Sequence, residues 1–472
     1  MTTASRLRQS DLGVWAAGVS LGLLLGVLES VGRTWAAAVV TVAVIALCIF
    51  YMRALGTAAG LLLALIVSNA VDHFTFPVGG LDLRAEQVAA AVALGAVGVR
   101  LWRTRDLSLL KPNTAELLLL AWLAIGLLSS LLASPDRRLS LKVLALTAIC
   151  SLGFFLPRRI LGTARARDEF EVVLRWLLIA FATESAYGTF AYLLHLFGPT
   201  ISIGPNPATG HLAAYGTLWE QNVFGTFGAA GGVAWVYLGP ARFKRAWVGL
   251  ALCVGGLVDS LTRAAWLAAA IAAVVGLAVP GLRRRLNLPM VGTGLLGGLL
   301  LAISVVVADV IGSYTVPVSG GAAPPKHSLL FAIFNMTDFI GRLNQTSPVW
   351  SDIQGANLLI GRGTASFEAL HIAGGAREHI ATLPLLVLND TGVVGLFVFA
   401  AFILAIALRA WAWRQDDSTV ALGQVVLVMF LGNLATQTTE LMLTWLIVGL
   451  LVAGIDIAAR EDAQRGSQAR SG

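Results

Sequence analysis

With 472 residues, 57% hydrophobic and only 12% charged, and a mean hydropathy of +0.80, the chain carries half the charge of a soluble domain, for which about 25% is usual. That excludes an ordinary water-soluble globular fold and indicates a polytopic membrane protein whose main solvent is the bilayer. The net charge of +7 is no nucleic-acid footprint, because the basic residues sit in short breaks beside apolar runs, as the positive-inside rule describes.

The N-terminus, MTTASRLRQS ahead of an apolar run, lacks a small-residue cleavage site and reads as a retained first helix. A span needs about 20 residues to cross about 30 Å at 1.5 Å per residue. Runs of this kind lie near 12–31, 34–51, 54–71, 86–101, 115–133, 140–156, 171–196, 220–238, 246–260, 263–279, 290–312, 383–408, 419–436 and 440–457. They predict an all-α polytopic fold of about 12–14 transmembrane helices with one large extracytoplasmic loop region containing short helices. Residues 1–312 would hold helices 1–11 with a cytoplasmic N-terminus, and 313–382 the large loop. Residues 383–457 would hold the C-terminal helices, and 458–472 a polar, disordered cytoplasmic tail.

Charge alternation tests this layout. With Arg6 and Arg8 inside, it also places inside Arg53, Arg100 to Lys111, Arg158 to Arg167, Arg242 to Arg245, Arg283 to Arg285, Arg409 with Arg414, and Arg460 with Arg465. Arg137 and Arg138 are the chief exception. The stretch 246–279, as one helix of 34 residues, would be about 51 Å long and would put basic clusters on opposite faces. Two spans turning near Asp259–Arg263 remove both problems and set Arg263 at the outer face. Cys48, Cys150 and Cys253 fall in separate apolar runs, with no metal-ligand spacing and no disulfide framework.

Several residues are candidates for chemistry. Glu184 lies well inside a long run, where an acid is functional by default. Glu220 and Asn222, in TLWEQNVFGTFGAAGG, start a span, where they can satisfy orphan backbone N–H groups. Arg263, in DSLTRAAWLAAA, has two readings: an i,i+4 ion pair with Asp259 capping a helical hairpin, or an anion site where a guanidinium grips phosphate oxygens bidentately. Arg342, in GRLNQTSPVW, is by residue type a solvated loop arginine, and Trp350 an interfacial anchor. His379 precedes a span; there a histidine can deprotonate an incoming hydroxyl or simply face water. His371, eight residues earlier, is its rival, and His327 reads as exposed.

Four of these elements resemble, in chain order, motifs of the bacterial O-antigen ligases and O-antigen polymerases. LTRAAWL is similar to their arginine-bearing element and TLWEQNVFGTF to their span start. GRLNQTSPVW followed by LIGRGTASF is similar to their GR-x-x-x-W and glycine pair. HIATLPLLVLNDTGVVGL is similar to their histidine-bearing approach to an acid-Thr-Gly turn. The motifs cover roughly residues 210–400. Two departures stand out: Thr262 replaces the usual serine before the arginine, and thirteen positions separate His379 from Gly392, more than the family's spacing, with Ile380 where an asparagine often follows. His371 therefore stays open as the base.

The resemblance implies a metal-independent transferase in the cytoplasmic (inner) membrane, with its site on the extracytoplasmic face and no cofactor. The donor would be a glycan on a polyprenyl pyrophosphate, and the acceptor a glycan, glycolipid or protein. Arg263 and Arg342 would be catalytic and hold the pyrophosphate, with Glu220 and Asn222 also binding substrate, and His379 would activate the acceptor hydroxyl. The rival class is a transporter or flippase of a lipid-linked saccharide, which would place charges and broken helices near the midplane.

Overall fold

The computed structural model describes residues 57–69, 75–78, 81–162, 166–195, 202–205, 212–218, 220–312, 346–373, 376–434 and 438–471, with the single positions 46, 344 and 436. Helices dominate. In chain order they are α1 (Thr57–Asn69), α2 (Ala85–Thr104), α3 (Thr114–Leu132), α4 (Arg137–Ile160), α5 (Ala166–His195), α6 (Gln221–Arg242), α7 (Ala246–Asp259) and α8 (Arg263–Ala278). There follow α9 (Leu288–Gly312), α10 (Thr346–Asp352), α11 (Asn357–Ile360), α12 (Ser366–Leu370), α13 (Leu383–Ala412), α14 (Asp417–Asn433) and α15 (Met442–Ser471). Three two-stranded antiparallel ribbons join some of them: β1 (Thr75–Val78) with β2 (Leu81–Arg84), β3 (Ile203–Pro205) with β4 (Leu212–Ala214), and β5 (Ile372–Ala373) with β6 (Ala376–Arg377).

Among the described residues six helices, α2, α3, α4, α5, α13 and α15, are long and apolar enough to cross a bilayer, and α1, α7, α8, α14 and the Leu288–Ile303 part of α9 are shorter apolar segments. The chain is a multi-pass helical membrane protein. Every apolar run from 54–71 onward is a helix here; the runs at 12–31 and 34–51 lie outside the described residues, as does most of the loop at 313–345. Leu120, Leu127 and Leu131 of α3, and Leu295 and Leu299 of α9, are exposed, the stripes that acyl chains would cover. The expected helical hairpin is present: α7 ends at Asp259 and α8 begins at Arg263.

Contacts divide the chain into two units, each gathered from separate segments. One takes residues 1–91, 163–332 and 424–429, the other 92–162, 333–423 and 430–472. In the first unit α7 packs against α5, α6 and α9. Small residues let them approach: a Cβ on Gly298 would strike Val254, and one on Gly249 would strike the buried Trp235. Inside lipid there is no hydrophobic drive between helices, so this close van der Waals packing holds them. The Trp235 indole donates to the Leu178 carbonyl at 3.0 Å.

In the second unit α4 lies on α15 and α13 on α3. Asn113 caps α3 in a capping box with Glu116, satisfying orphan donors at its start. Buried Glu116 also receives Arg158 at 2.8 Å and Arg159. Asp456 of α15 receives Arg158 at 2.6 Å and Arg409 of α13. Arg100 donates to the carbonyls of Arg159, Ile160 and Gly162 at the end of α4, a basic C-terminal cap. Arg100, Arg158, Arg159 and Arg409 of this unit thus gather at the Glu116 end of α3.

The tail differs from expectation. Residues 458–471 are not disordered but continue α15 as helix to Ser471. The buried span supplies the costly helical nucleus, and Ala, Glu, Gln and Arg in AAREDAQRGSQAR propagate it at little further cost.

Candidate functional site

The motif residues of the first unit meet at the α7–α8 turn. Leu261 takes a left-handed φ of 49°, and Thr262 is extended at the N-cap of α8. The Thr262 hydroxyl donates to the Gln221 carbonyl at 2.9 Å, so the LTR turn is fastened to the first residue of α6. The Ser260 hydroxyl donates to the Leu257 carbonyl at 2.7 Å, and the Trp266 indole to the same carbonyl at 2.9 Å. A Cβ on Gly225 would collide with Ser260 and Thr262, so that glycine is what lets α6 and the turn touch. Arg263 is half-buried at the first position of α8. A cation there opposes the helix dipole by about 0.3–1 kcal/mol.

The ion pair weighed for Arg263 is not the arrangement adopted: the Asp259 carboxylate, fully buried, accepts from the Thr189 hydroxyl of α5 instead. Side-chain capping by Glu220 is not found either. Glu220 occupies the N-cap of α6 in extended conformation, without a side-chain cap bond, and is exposed. Asn222 is half-buried in the first turn, and its carbonyl accepts from Thr226.

Glu184 has a structural partner that its sequence position did not reveal. Its carboxylate accepts the Thr217 backbone N–H at 2.7 Å and the Thr217 hydroxyl at 2.8 Å. Gly216, at φ 60°, leaves no room for a Cβ beside it. This acid therefore pins the segment leading into the Glu220–Asn222 motif. Glu184→Leu leaves both Thr217 donors unpaired, which costs about 1–3 kcal/mol each. Its thermal midpoint in detergent should fall by several degrees, and Glu184→Gln should retain most of the stability. An unchanged midpoint in Glu184→Leu refutes that pinning role.

In the second unit the LNDTGVVGL and LIGRGTASF segments interlock. α13 breaks at Gly392, whose φ of 66° and ψ of −170° are non-helical. The carbonyls freed there find partners. Asn389 O accepts Arg362 N–H at 2.8 Å, and Asp390 O accepts Gly363 N–H at 3.1 Å and the Ser129 hydroxyl of α3 at 2.7 Å. The Asn389 amide donates to Ser366 Oγ at 2.9 Å and to Asp390 Oδ1 at 3.2 Å. Gly361, Gly363 and Ala365 all have positive φ, which bends the loop over the break.

This scaffold carries two histidine–carboxylate pairs. His371 Nε2 lies 2.8 Å from Asp352 Oδ2, its ring stacks on Phe367 with centroids 4.2 Å apart, and Asp352 also receives Arg362 at 3.6 Å. The β5–β6 ribbon then turns the chain back, so that His379 Nδ1 lies 2.7 Å from Glu368 Oε1 of α12. The His379 side chain is 63% exposed, against 27% for His371. Ile380, which takes the place of the family's asparagine, is buried with Val349, Ile353, Phe367 and Leu388. That anchor, next in sequence, fixes where His379 stands. A carboxylate on one ring nitrogen orients an imidazole and holds its tautomer, the arrangement in which a catalytic base is positioned by a third group.

Arg342 and His327 lie outside the described residues, and Trp350 is half exposed on α10. Sequence reasoning missed Glu368 and Asp352, and took in Arg362 only as part of LIGRGTASF. Nothing in the spacing of Glu368 and His379 announces a pair; the ribbon between them makes it. No protein-family model matches the chain, and no curated protein matches it in sequence.

Proposed function

We propose that the protein is a membrane transferase that moves a glycan from a polyprenyl-pyrophosphate donor to an acceptor hydroxyl at the extracytoplasmic face of a cytoplasmic membrane, as an O-antigen ligase or polymerase does. The observation that carries this reading is the His379–Glu368 pair, an exposed, carboxylate-oriented imidazole built on the two segments that the resemblance singles out. In the reaction the acceptor oxygen bonds to the anomeric carbon as the carbon–oxygen bond to pyrophosphate breaks. The hydroxyl proton passes to the imidazole and then to solvent. Arg263 and Arg342 hold the departing pyrophosphate, each charge-assisted bond contributing about 1.5–3 kcal/mol. Glu220 and Asn222 flank the Arg263 turn as further donor contacts.

Sidedness has support inside the second unit. Glu116, with its arginines, and Ser129, beside the α13 break, are thirteen residues apart on α3, about 20 Å at 1.5 Å per residue. The basic cluster and the histidine scaffold thus occupy opposite ends of one helix, as a cytoplasmic anchor and an outer site would.

One observation favours the second reading, a transporter of a lipid-linked saccharide: α13 is a broken apolar helix with a buried acid, Asp390, at the break, a device transporters use. One experiment separates the two. Purified protein is incubated in liposomes with a lipid-linked oligosaccharide and candidate acceptors. Longer chains on the same lipid mean a polymerase, a product on another glycolipid or protein means a ligase, and intact donor reaching the other leaflet means a transporter. Within the transferase reading, His379→Ala should lose at least a hundredfold in transfer rate, the ordinary scale of general base catalysis, and His371→Ala far less. Full activity in both removes histidine catalysis; loss confined to His371→Ala moves the base there.

A further inference from the structure

Arg362 stands inside the histidine scaffold, and the roles above do not use its side chain. Its backbone is fixed. The N–H donates to Asn389 O at 2.8 Å, and Gly361 and Gly363 on either side take φ of 78° and 92°. The side chain is 27% exposed, so it is neither freely solvated nor sealed in. Its Nε is buried and has no acceptor among the described residues. Its Nη1 stands 3.6 Å from Asp352 Oδ1, beyond hydrogen-bond length. The other oxygen of that carboxylate is taken by His371 Nε2 at 2.8 Å. Asp352 thus serves the imidazole closely and the guanidinium only loosely.

A guanidinium that gives up water without gaining hydrogen bonds is costly. Its planar fork suits a partner that offers two adjacent, negatively charged oxygens. A cation would be repelled there, and a neutral hydroxyl would leave the charge uncompensated. A carboxylate or a phosphate meets both demands. The place matters as well. The His371 carbonyl accepts the Glu378 N–H at 3.0 Å, so the Arg362–Asp352–His371 row adjoins the segment that carries His379. An oxyanion seated on Arg362 therefore lies on the side of the base, from which an acceptor hydroxyl approaches.

We propose that Arg362 forms an oxyanion subsite, which holds an acidic group of the acceptor, a carboxylate or a phosphate. The inference rests on the transferase reading for the word acceptor, but not for anion binding. The test therefore has an arm without donor. Saturation-transfer NMR on the full-length protein in detergent uses glucuronate and glucose 6-phosphate as probes, with glucose as the uncharged control. Arg362→Gln removes the charge and leaves the backbone bond to Asn389 in place. Asp352→Asn removes the carboxylate that competes for the guanidinium. Arg263→Ala separates this subsite from the arginine assigned to pyrophosphate.

The expected result is saturable binding of at least one of the two anions, and none of glucose. Arg362→Gln should weaken that binding about tenfold or more, the scale of one lost charge-assisted bond. Arg362→Lys, which keeps the charge but not the fork, should recover part of it. Arg263→Ala should leave it unchanged, and Asp352→Asn should tighten it severalfold. In the transfer assay Arg362→Gln should raise the KM of an acidic acceptor about tenfold, with the donor KM unchanged. If Asp352→Asn does not fold, the two Arg362 variants carry the test. The subsite is overturned if no anion binds, if binding survives Arg362→Gln, or if it is lost in Arg263→Ala or in a folded Asp352→Asn protein. A rise in the donor KM alone overturns the assignment to the acceptor. Anion binding that Arg362→Gln removes, in a protein that transfers nothing, keeps the subsite and rejects the transferase.

Discussion

If the protein is the proposed transferase, Arg263→Ala should cut transfer from a polyprenyl-pyrophosphate donor at least a hundredfold while the protein stays folded in detergent. The turn that presents Arg263 is held by other side chains: Thr262 binds the Gln221 carbonyl, while Ser260 and Trp266 both bind that of Leu257. Those three side chains persist in the variant. As the first residue of α8, a cation gains nothing from the helix dipole. Two charge-assisted bonds to pyrophosphate oxygens are together worth about 3–6 kcal/mol. At 1.36 kcal/mol per decade this is roughly a 10²–10⁴-fold loss of rate. Arg263→Lys keeps the charge but not the bidentate fork, and should recover only part of the rate. Radiolabelled donor turnover with thermal unfolding alongside decides it: transfer at the wild-type rate by Arg263→Ala ends the pyrophosphate assignment.

The helical, membrane-spanning character was legible because hydropathy and length together leave few options in a bilayer, although six of the expected 12–14 spans qualify among the described residues. The α7–α8 hairpin was legible for the same reason, since one helix over 246–279 would be too long to fit. The break in α13 was not. Residues on both sides of Gly392 are apolar, so 383–408 reads as one span; only the polar triplet Asn389, Asp390 and Thr391 before a glycine hinted otherwise. What stabilises the break is remote in sequence, namely Ser129 of α3 and the backbone N–H groups of Arg362 and Gly363. Glu184 was visible as a misplaced charge, yet its partner Thr217 lies 33 residues away, beyond any local pattern. Propensity erred at the tail, where composition suggested disorder but an anchored helix needed only propagation. Of the candidate site residues, Arg263 and His379 were singled out by type and by resemblance, whereas Glu368 and Asp352 emerge only from the ribbon and short helices that fold them back.

The largest loss of stability should come from the smallest change, Gly392→Ala. The φ of 66° and ψ of −170° at this residue fall in a region that only glycine enters freely, at a cost of about 1–3 kcal/mol to other residues. Strain is the lesser part. A Cβ at 392 would collide with the backbone of Leu359 and Gly361, which is main chain and cannot rotate away. The loop must retreat, and with it go the bonds from Arg362 N–H to Asn389 O and from Gly363 N–H to Asp390 O. Each buried partner left unsatisfied costs about 1–3 kcal/mol, so the total of about 3–9 kcal/mol rivals the whole stability of a typical domain, about 5–15 kcal/mol. Because this loop also leads into Ser366 and Glu368, activity should vanish with the fold. Gly423→Ala is the control: Gly423 lies within α14, and its nearest neighbour to an added Cβ is Ala410 at 4.0 Å, so that variant should match the wild type or exceed it slightly. Size-exclusion profiles and thermal midpoints of the two variants side by side provide the measurement. A monodisperse Gly392→Ala protein melting with Gly423→Ala would mean that α13 can run straight through residue 392, and that the break is not what holds the histidine scaffold in place.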